Sequence, residues 1–194
     1  MAKLSEQALE ALNEYSDLLS KDKLTEFYAE IAKSKYAHTD TVTEISEFLI
    51  TQGVDVCSYL KAIPHGFLTD SKRFKDFTIG GKVEEIESGA FYGAHIETLI
   101  LEDSVRIIGR SAFADCEKLT NVTLGQNVKT IGQQAFAGCT NIKELILPES
   151  VTTIGANAFD GNNAITIKSP ERKRGTLHVP RKEIDWYKQH LIRL

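Results

Sequence analysis

A chain of 194 residues with 42% hydrophobic and 26% charged content has the make-up of an ordinary soluble domain, and no apolar run in it approaches the roughly 18–20 residues that span a bilayer. The formal charge of −4 hides an asymmetry: residues 1–167 carry 15 Lys and Arg against 24 Asp and Glu, whereas residues 168–194 carry 8 against 3. The acidic bulk argues against direct nucleic-acid binding, and the three cysteines follow neither a disulfide framework nor a zinc motif.

The chain opens with "MAKLSEQALEALNEYSDLL", which lacks a basic region, apolar stretch and cleavage site in the order of a secretory signal, so a cytoplasmic location is expected. Residues 4–20 read as an amphipathic helix with Ala8, Leu12, Tyr15 and Leu19 on one face. Leu24, Phe27, Tyr28 and Ile31 repeat the pattern in a second helix, with Asp22 as its expected N-cap. "TVTEISEFLITQG" begins with the capping-box pair Thr41 and Glu44 and ends at Gly53, and "VCSYLKAI" reads as a shorter helix running to Pro64. Residues 1–62 therefore form a helical N-terminal domain or cap. With 6 basic and 11 acidic residues in positions 1–63, a helix-turn-helix reader of DNA would carry the wrong sign of charge.

The middle of the chain repeats itself. Val83, Val105, Val128 and Val151 recur at steps of 22, 23 and 23 residues, followed three positions on by Ile86, Ile108, Ile131 and Ile154. Ala90, Ala112, Ala135 and Ala158 come next, each directly before a phenylalanine: Phe91, Phe113, Phe136 and Phe159. Gly109, Gly132 and Gly155 follow three of the isoleucines, where a backbone conformation closed to other residues is expected. Each copy closes with an alternating apolar pair: Leu99/Leu101, Val122/Leu124, Leu145/Leu147 and Ile165/Ile167. A worn copy precedes these, with Phe67, Phe74, Phe77 and Ile79, and "GTLHVP" suggests a last short strand from Thr176 to Val179.

Alternation such as Val122-Thr123-Leu124 is the pattern of a strand with one buried face, while "AFADC" suits a tight turn that tucks its aromatic beneath the strand. No single unit can bury its apolar face alone. Stacked about 4.8 Å apart, successive units share a continuous core, as solenoids do.

The phrase V-x-x-I-G-x-x-A-F-x-x-C-x-x-L-x-x-V/L-x-L-P-x-S resembles the leucine-rich repeat of the BspA-like, or treponemal, class over roughly residues 62–180. The segment "TLHVPRKEIDWYKQHL" is similar to the ending that closes such arrays. Open solenoid ends need covering, which the helical N-terminal domain or cap and a C-terminal capping helix over residues 181–194, containing Trp186, Tyr187 and Leu191, would supply; the resemblance implies an α/β repeat, a right-handed leucine-rich-repeat solenoid over residues 63–180. It also implies protein binding rather than catalysis, and it places cysteine repeatedly where Cys116 and Cys139 stand.

No catalytic, cofactor-binding or metal-binding constellation emerges. His38, His65, His95, His178 and His190 are not paired with ligating neighbours, and "TIGGKVEE" lacks the spacing of a phosphate-binding loop. Cys116 and Cys139 should stack in adjacent repeats as buried, reduced thiols, and Cys57 should be core.

A partner-binding face is expected on the outward strand positions Thr78, Ile100, Thr123, Ile146 and Thr166, bordered by Asp76, Thr98, Asn121 and Glu144. A second candidate is the acidic group Glu84, Glu85, Glu87, Glu97, Glu102 and Asp103. The sequence thus points to a non-enzymatic protein-binding protein without cofactor or membrane segment, with homodimerisation open. The alternative is a phage- or mobile-element-encoded inhibitor whose acidic surface blocks a basic nucleic-acid enzyme such as a CRISPR nuclease.

Overall fold

The computed structural model describes residues 4–14, 16, 23–35, 38–162, 164–169 and 177–193. Three helices lead, α1 (Glu6–Glu14), α2 (Leu24–Lys33) and α3 (Thr39–Thr51). Their buried stripes are Ala8, Ala11 and Leu12 on α1, Leu24, Phe27, Tyr28 and Ile31 on α2, and Val42, Ile45 and Leu49 on α3. The first helix covers only part of the expected 4–20, and Tyr15, Leu19 and the expected cap Asp22 lie outside the described residues.

The third helix starts two residues before the expected capping box. His38 is its N-cap, so Thr41 sits inside the helix, buried, and Glu44 reaches another element altogether. Its far end is as expected: Gly53 takes a φ of 78°, its N–H bonds to Ile50 O at 2.9 Å and Val54 N–H bonds to Leu49 O at 3.1 Å, a Schellman closure. The helix expected over "VCSYLKAI" is instead one 3₁₀ turn, Val56–Ser58, followed by strand β1 (Ala62–Ile63). Pro64 disfavours helical geometry at Ile63, and Ile63 is fully buried as the first of the isoleucine column.

From β1 onward the chain coils through five rungs. Each rung contributes a two-residue strand to one parallel sheet: β1, β3 (Glu85–Ile86), β5 (Ile107–Ile108), β7 (Thr130–Ile131) and β9 (Thr153–Ile154). The other strands form a second face: β2 (Asp76–Ile79), β4 (Thr98–Leu101), β6 (Asn121–Thr123), β8 (Glu144–Ile146) and β10 (Thr166–Ser169). Between each pair of strands runs a tight turn whose N–H groups reach the next rung, as in Phe91 N–H to Ala112 O (2.8 Å), Phe113 to Ala135 (2.9 Å) and Phe136 to Ala158 (2.8 Å).

The isoleucine and phenylalanine columns of the sequence are columns in space. Phe91, Phe113, Phe136 and Phe159 stack with ring centroids 5.0, 5.3 and 5.9 Å apart, and Trp186 continues the pile 6.3 Å beyond Phe159. Burial of each phenylalanine is worth about 1.5–3 kcal/mol, and the stacking adds to it.

The conserved spacing of Gly109, Gly132 and Gly155 has a different cause from the one expected. None of the three takes a positive φ; each lies where a Cβ would strike the backbone of the preceding rung, at 2.6 Å from Ile86 O, 2.6 Å from Gly109 C and 2.4 Å from Gln133 N respectively. The left-handed positions fall two residues later, at Gly66, Gly89, Ser111, Gln134 and Asn157, and again at Asp70, Gly93, Asp115, Gly138 and Gly161. In that second column Asp70 and Asp115 fill the space left by Gly93 and Gly138, whose Cβ atoms would lie 2.0 and 2.2 Å from the Asp oxygens.

The helices close the first rung and share its core. Tyr28 packs its ring 6.4 Å from Phe67 and hydrogen-bonds Ser46 Oγ at 3.0 Å, and Thr43 donates to Gly66 O at 2.6 Å. Glu47 accepts from the Ser71 hydroxyl and pairs with Arg73 Nε at 2.9 Å. At the other end the expected capping helix is shorter: a 3₁₀ turn, Arg181–Glu183, then α4 (Ile184–His190). Residues Leu191–Arg193 turn into a strand, β11, parallel to β10, which widens the second face. Of the short strand expected at Thr176–Val179, Thr176 lies outside the described residues, and His178 forms a single bridge to Thr153.

Candidate functional site: the strand face and its break

The outward positions of the second face line up as the strand registers dictate. Thr78 pairs with Ile100, Ile100 with Thr123, and Ile146 with Lys168. Ile100 and Ile146 are 40% and 54% exposed, which is unusual for side chains of their size. The last expected position is corrected: Thr166 is in register with Glu144 and joins the bordering column Asp76, Thr98, Asn121, Glu144, so Lys168 takes the ridge. The shift arises because β8 and β10 are 22 residues apart in register, one fewer than the step from β4 to β6. Two ion pairs edge the face, Lys75–Glu97 at 3.0 Å and Lys168–Glu144 at 2.5 Å.

The continuous strand face expected from the repeat is interrupted. The five-stranded sheet of short strands is unbroken, whereas the second face divides into β2-β4-β6 and β8-β10-β11. One carbonyl marks the division. Lys75 O accepts the N–H of Thr98 at 3.0 Å, Glu97 O those of Thr120 (2.9 Å) and Asn121 (3.2 Å), and Lys143 O that of Thr166 (2.8 Å). The equivalent Thr120 O receives no backbone N–H from the fourth rung among the described residues. Asn141 Nδ2 instead straps the rungs together through Glu117 O at 2.6 Å.

The rungs therefore stay laddered along the turns and the short strands but splay on the second face. The splay opens a groove of about 1020 Å³. Val122, Leu124, Leu147 and Pro148 supply its apolar surface, with Asn121, Thr123, Lys143, Glu144 and Glu149 among the polar lining. Val122 is part-exposed, as is its counterpart Phe77 in the first rung, whereas Leu99 and Leu145 are buried. Sequence reasoning missed this break.

The acidic group is not a patch. Glu84 and Glu85 lie at β3, in the sheet of short strands, whereas Glu97 directly precedes β4 on the other face and pairs with Lys75. Glu87 accepts from His65 N–H at 3.0 Å, Glu102 from Gly81 N–H at 3.2 Å and Asp103 from Gln126 N–H at 2.7 Å. Half of the six carboxylates thus satisfy main-chain donors of a neighbouring rung.

Cys116 and Cys139 are free and fully buried, as expected, and each has a backbone partner: Cys116 Sγ donates to Phe91 O at 3.1 Å and Cys139 Sγ to Phe113 O at 3.0 Å. Asn162 fills the same place in the fifth rung, donating to Phe136 O at 2.9 Å. The neighbouring Cys139 thiol and then burial hold the Cys116 thiol well above its ordinary range, which makes it inert. A smaller cavity of about 360 Å³ lies where α3 meets the turns, lined in part by Thr39, His65, Tyr92 and Arg110. There Asp115, through a hydrogen bond and its charge, pushes the Tyr92 hydroxyl upward.

Stacked rungs with aligned isoleucine, phenylalanine and leucine columns define a right-handed leucine-rich-repeat solenoid of about five turns. The model of the BspA-type leucine-rich-repeat region matches residues 61–174 in six copies, and the chain belongs to that family. It is similar to a leucine-rich cell surface protein from Faecalibacterium prausnitzii, at 32% identity over 49% of this chain and 26% of that one, with a TM-score of 0.47. A leucine-rich-repeat protein from Bacteroides capillosus is 35% identical over 50% of this chain and 75% of its own, with a TM-score of 0.43. The leucine-rich-repeat protein of T. pallidum is 25% identical over 52% of this chain and 60% of its own, with a TM-score of 0.40. No curated protein matches the chain. No helix among the described residues is long and apolar enough to cross a membrane.

Proposed function

We propose that this chain is a non-enzymatic protein-binding module that engages its partner through the second strand face, with Ile100 and Ile146 as the apolar anchors. The family supports the general role, since its repeats serve protein interaction and surface adhesion. The observation that carries the reading is the exposure of two large aliphatic side chains on one sheet face beside the polar column Asp76, Thr98, Asn121 and Glu144. We place the module in the cytosol, where buried thiols such as Cys116 and Cys139 remain reduced.

The acidic-inhibitor alternative draws no support from the carboxylates, which are spread over both sheets and partly engaged with main-chain N–H groups. The test is chemical cross-linking of the full chain in native lysate, with Ile100→Asp and Ile146→Asp beside Glu84→Lys and Glu85→Lys. Loss of the cross-linked partner with the isoleucine variants alone supports the reading. Loss with the charge reversals alone, together with release of the partner by salt, overturns it in favour of electrostatic capture.

A further inference from the structure

We propose that the cavity where α3 meets the turns binds a small aromatic carboxylic acid, at a site separate from the strand face. The repeat supplies its own comparison. Asp70 N–H bonds to Tyr92 O as the N–H groups of Gly93, Asp115 and Gly138 bond to Ala114, Ala137 and Asp160 O, so Tyr92 is equivalent to these three residues. By the same ladder Arg110 is equivalent to Gln133 and Ala156. The solenoid thus folds without a ring at the one place and without a cation at the other. Both departures fall on one cavity of about 360 Å³.

The walls are set before a ligand arrives. The Tyr92 ring is 42% exposed, and its hydroxyl is held by Asp115. The His65 ring is held by Ser88 O, 2.5 Å from Nδ1, which puts the ring proton on that nitrogen. Gly89 leaves room for this ring, since a Cβ there would lie 3.1 Å from its Nδ1 and Cε1. Fixed rings receive a flat apolar body without first losing side-chain freedom.

Charge selects the rest of the ligand. Arg110 lines the same cavity, is exposed, and makes no ion pair among the described residues. The carboxylates joined to the two walls are engaged, Asp115 by the Tyr92 hydroxyl and Glu87 by the His65 N–H at 3.0 Å. A guanidinium takes a carboxylate through two parallel N–H bonds, and one cation matches one negative charge better than the two of a phosphate. The volume is at the small end for a ligand site and suits a single ring with a short acidic arm.

The experiment is titration of the full chain with phenylacetate, followed by NMR chemical shifts, beside phenylacetamide, acetate and inorganic phosphate. Expected is saturable binding of phenylacetate, on the order of millimolar or tighter, with shifts centred on residues 88–92 and 110–111. Removing the charge, as in phenylacetamide, or the ring, as in acetate, should each weaken binding on the order of tenfold. Tyr92→Ala and Arg110→Gln install the residues that the next rung already carries, so the fold is kept. Each should weaken phenylacetate by a similar factor. Phenylacetate that fails to saturate, or that binds the Arg110→Gln chain as tightly, would overturn the site. Phenylacetamide or acetate binding as tightly as phenylacetate would do the same. Inorganic phosphate binding more tightly than phenylacetate would replace the aromatic acid by a simple oxyanion.

Discussion

Glu44 on α3 holds the N-terminus of α1 through Ser5, accepting both its backbone N–H at 3.0 Å and its hydroxyl. Ser5 in turn caps its own helix, its Oγ accepting the N–H of Ala8 at 3.1 Å. The usual capping box draws its carboxylate from the third residue of the same helix; here that residue is Ala8, and a carboxylate 39 positions away does the work. Glu44→Ala removes two charge-assisted hydrogen bonds and should cost about 1–2 kcal/mol in urea unfolding. Faster amide exchange should be confined to α1, and Ser5→Ala should reproduce most of the loss.

The aromatic pile makes its inner rings, Phe136 among them, sensitive positions of the array. The Phe136 ring is stacked on both sides, by Phe113 at 5.3 Å and Phe159 at 5.9 Å, and it is fully buried. Phe136→Ala should destabilise by about 3–5 kcal/mol, measured by chemical denaturation. Trp186→Ala, at the part-exposed end of the same pile, should cost distinctly less.

Two neighbouring substitutions separate close packing from backbone conformation. Gly132→Ala places a methyl group against the Gly109 carbonyl carbon and should destabilise by about 1–3 kcal/mol, because the obstacle is backbone and has nowhere to go. Gln134→Gly relieves a side-chain-bearing residue at φ 57° and should be neutral or stabilising by up to about 1 kcal/mol. A reversed order in thermal unfolding would mean that the two columns have been given each other's role.

Alkaline pH should weaken the fold through Cys57. Burial pushes this thiol from its ordinary 9.0 up to about 11. The unfolded chain therefore ionises first, and the stabilisation is complete below about pH 8 and falls away as the pH rises through 9 toward 11, by on the order of 2 kcal/mol. Cys116 is shifted in the same direction and adds to the slope. Denaturation midpoints at pH 8 and pH 10 should differ, and Cys57→Ala should flatten part of that difference.

The repeat itself was readable because identical packing demands leave identical letters: the Val, Ile, Ala and Phe columns occur in space as they do in the text. Where several physical causes favour the same letter, reading was less secure. Glycine after isoleucine suggested unusual torsion, but close approach between rungs places it there. Thr41 and Glu44 have the spacing of a local cap, and only the tertiary fold shows Glu44 serving Ser5. The face residues were legible by alternation except in the last rung, where the 22-residue step moves Thr166 off the ridge. The break between β6 and β8 was illegible, because a strand's own pattern does not say whether its neighbour stays in hydrogen-bonding distance.

The columns also set how this architecture can change its size. The ladders and ring stacks in the middle of the array link a residue to its counterpart about 23 positions along, and the two ends are closed by unrelated devices: helices at one, Trp186 and β11 at the other. A segment of that length, such as residues 128–150, is consequently a unit of growth. Copying it in tandem would lengthen the molecule by one storey, present each new ring and isoleucine to partners of the same kind, and leave both closures with the neighbours they already have.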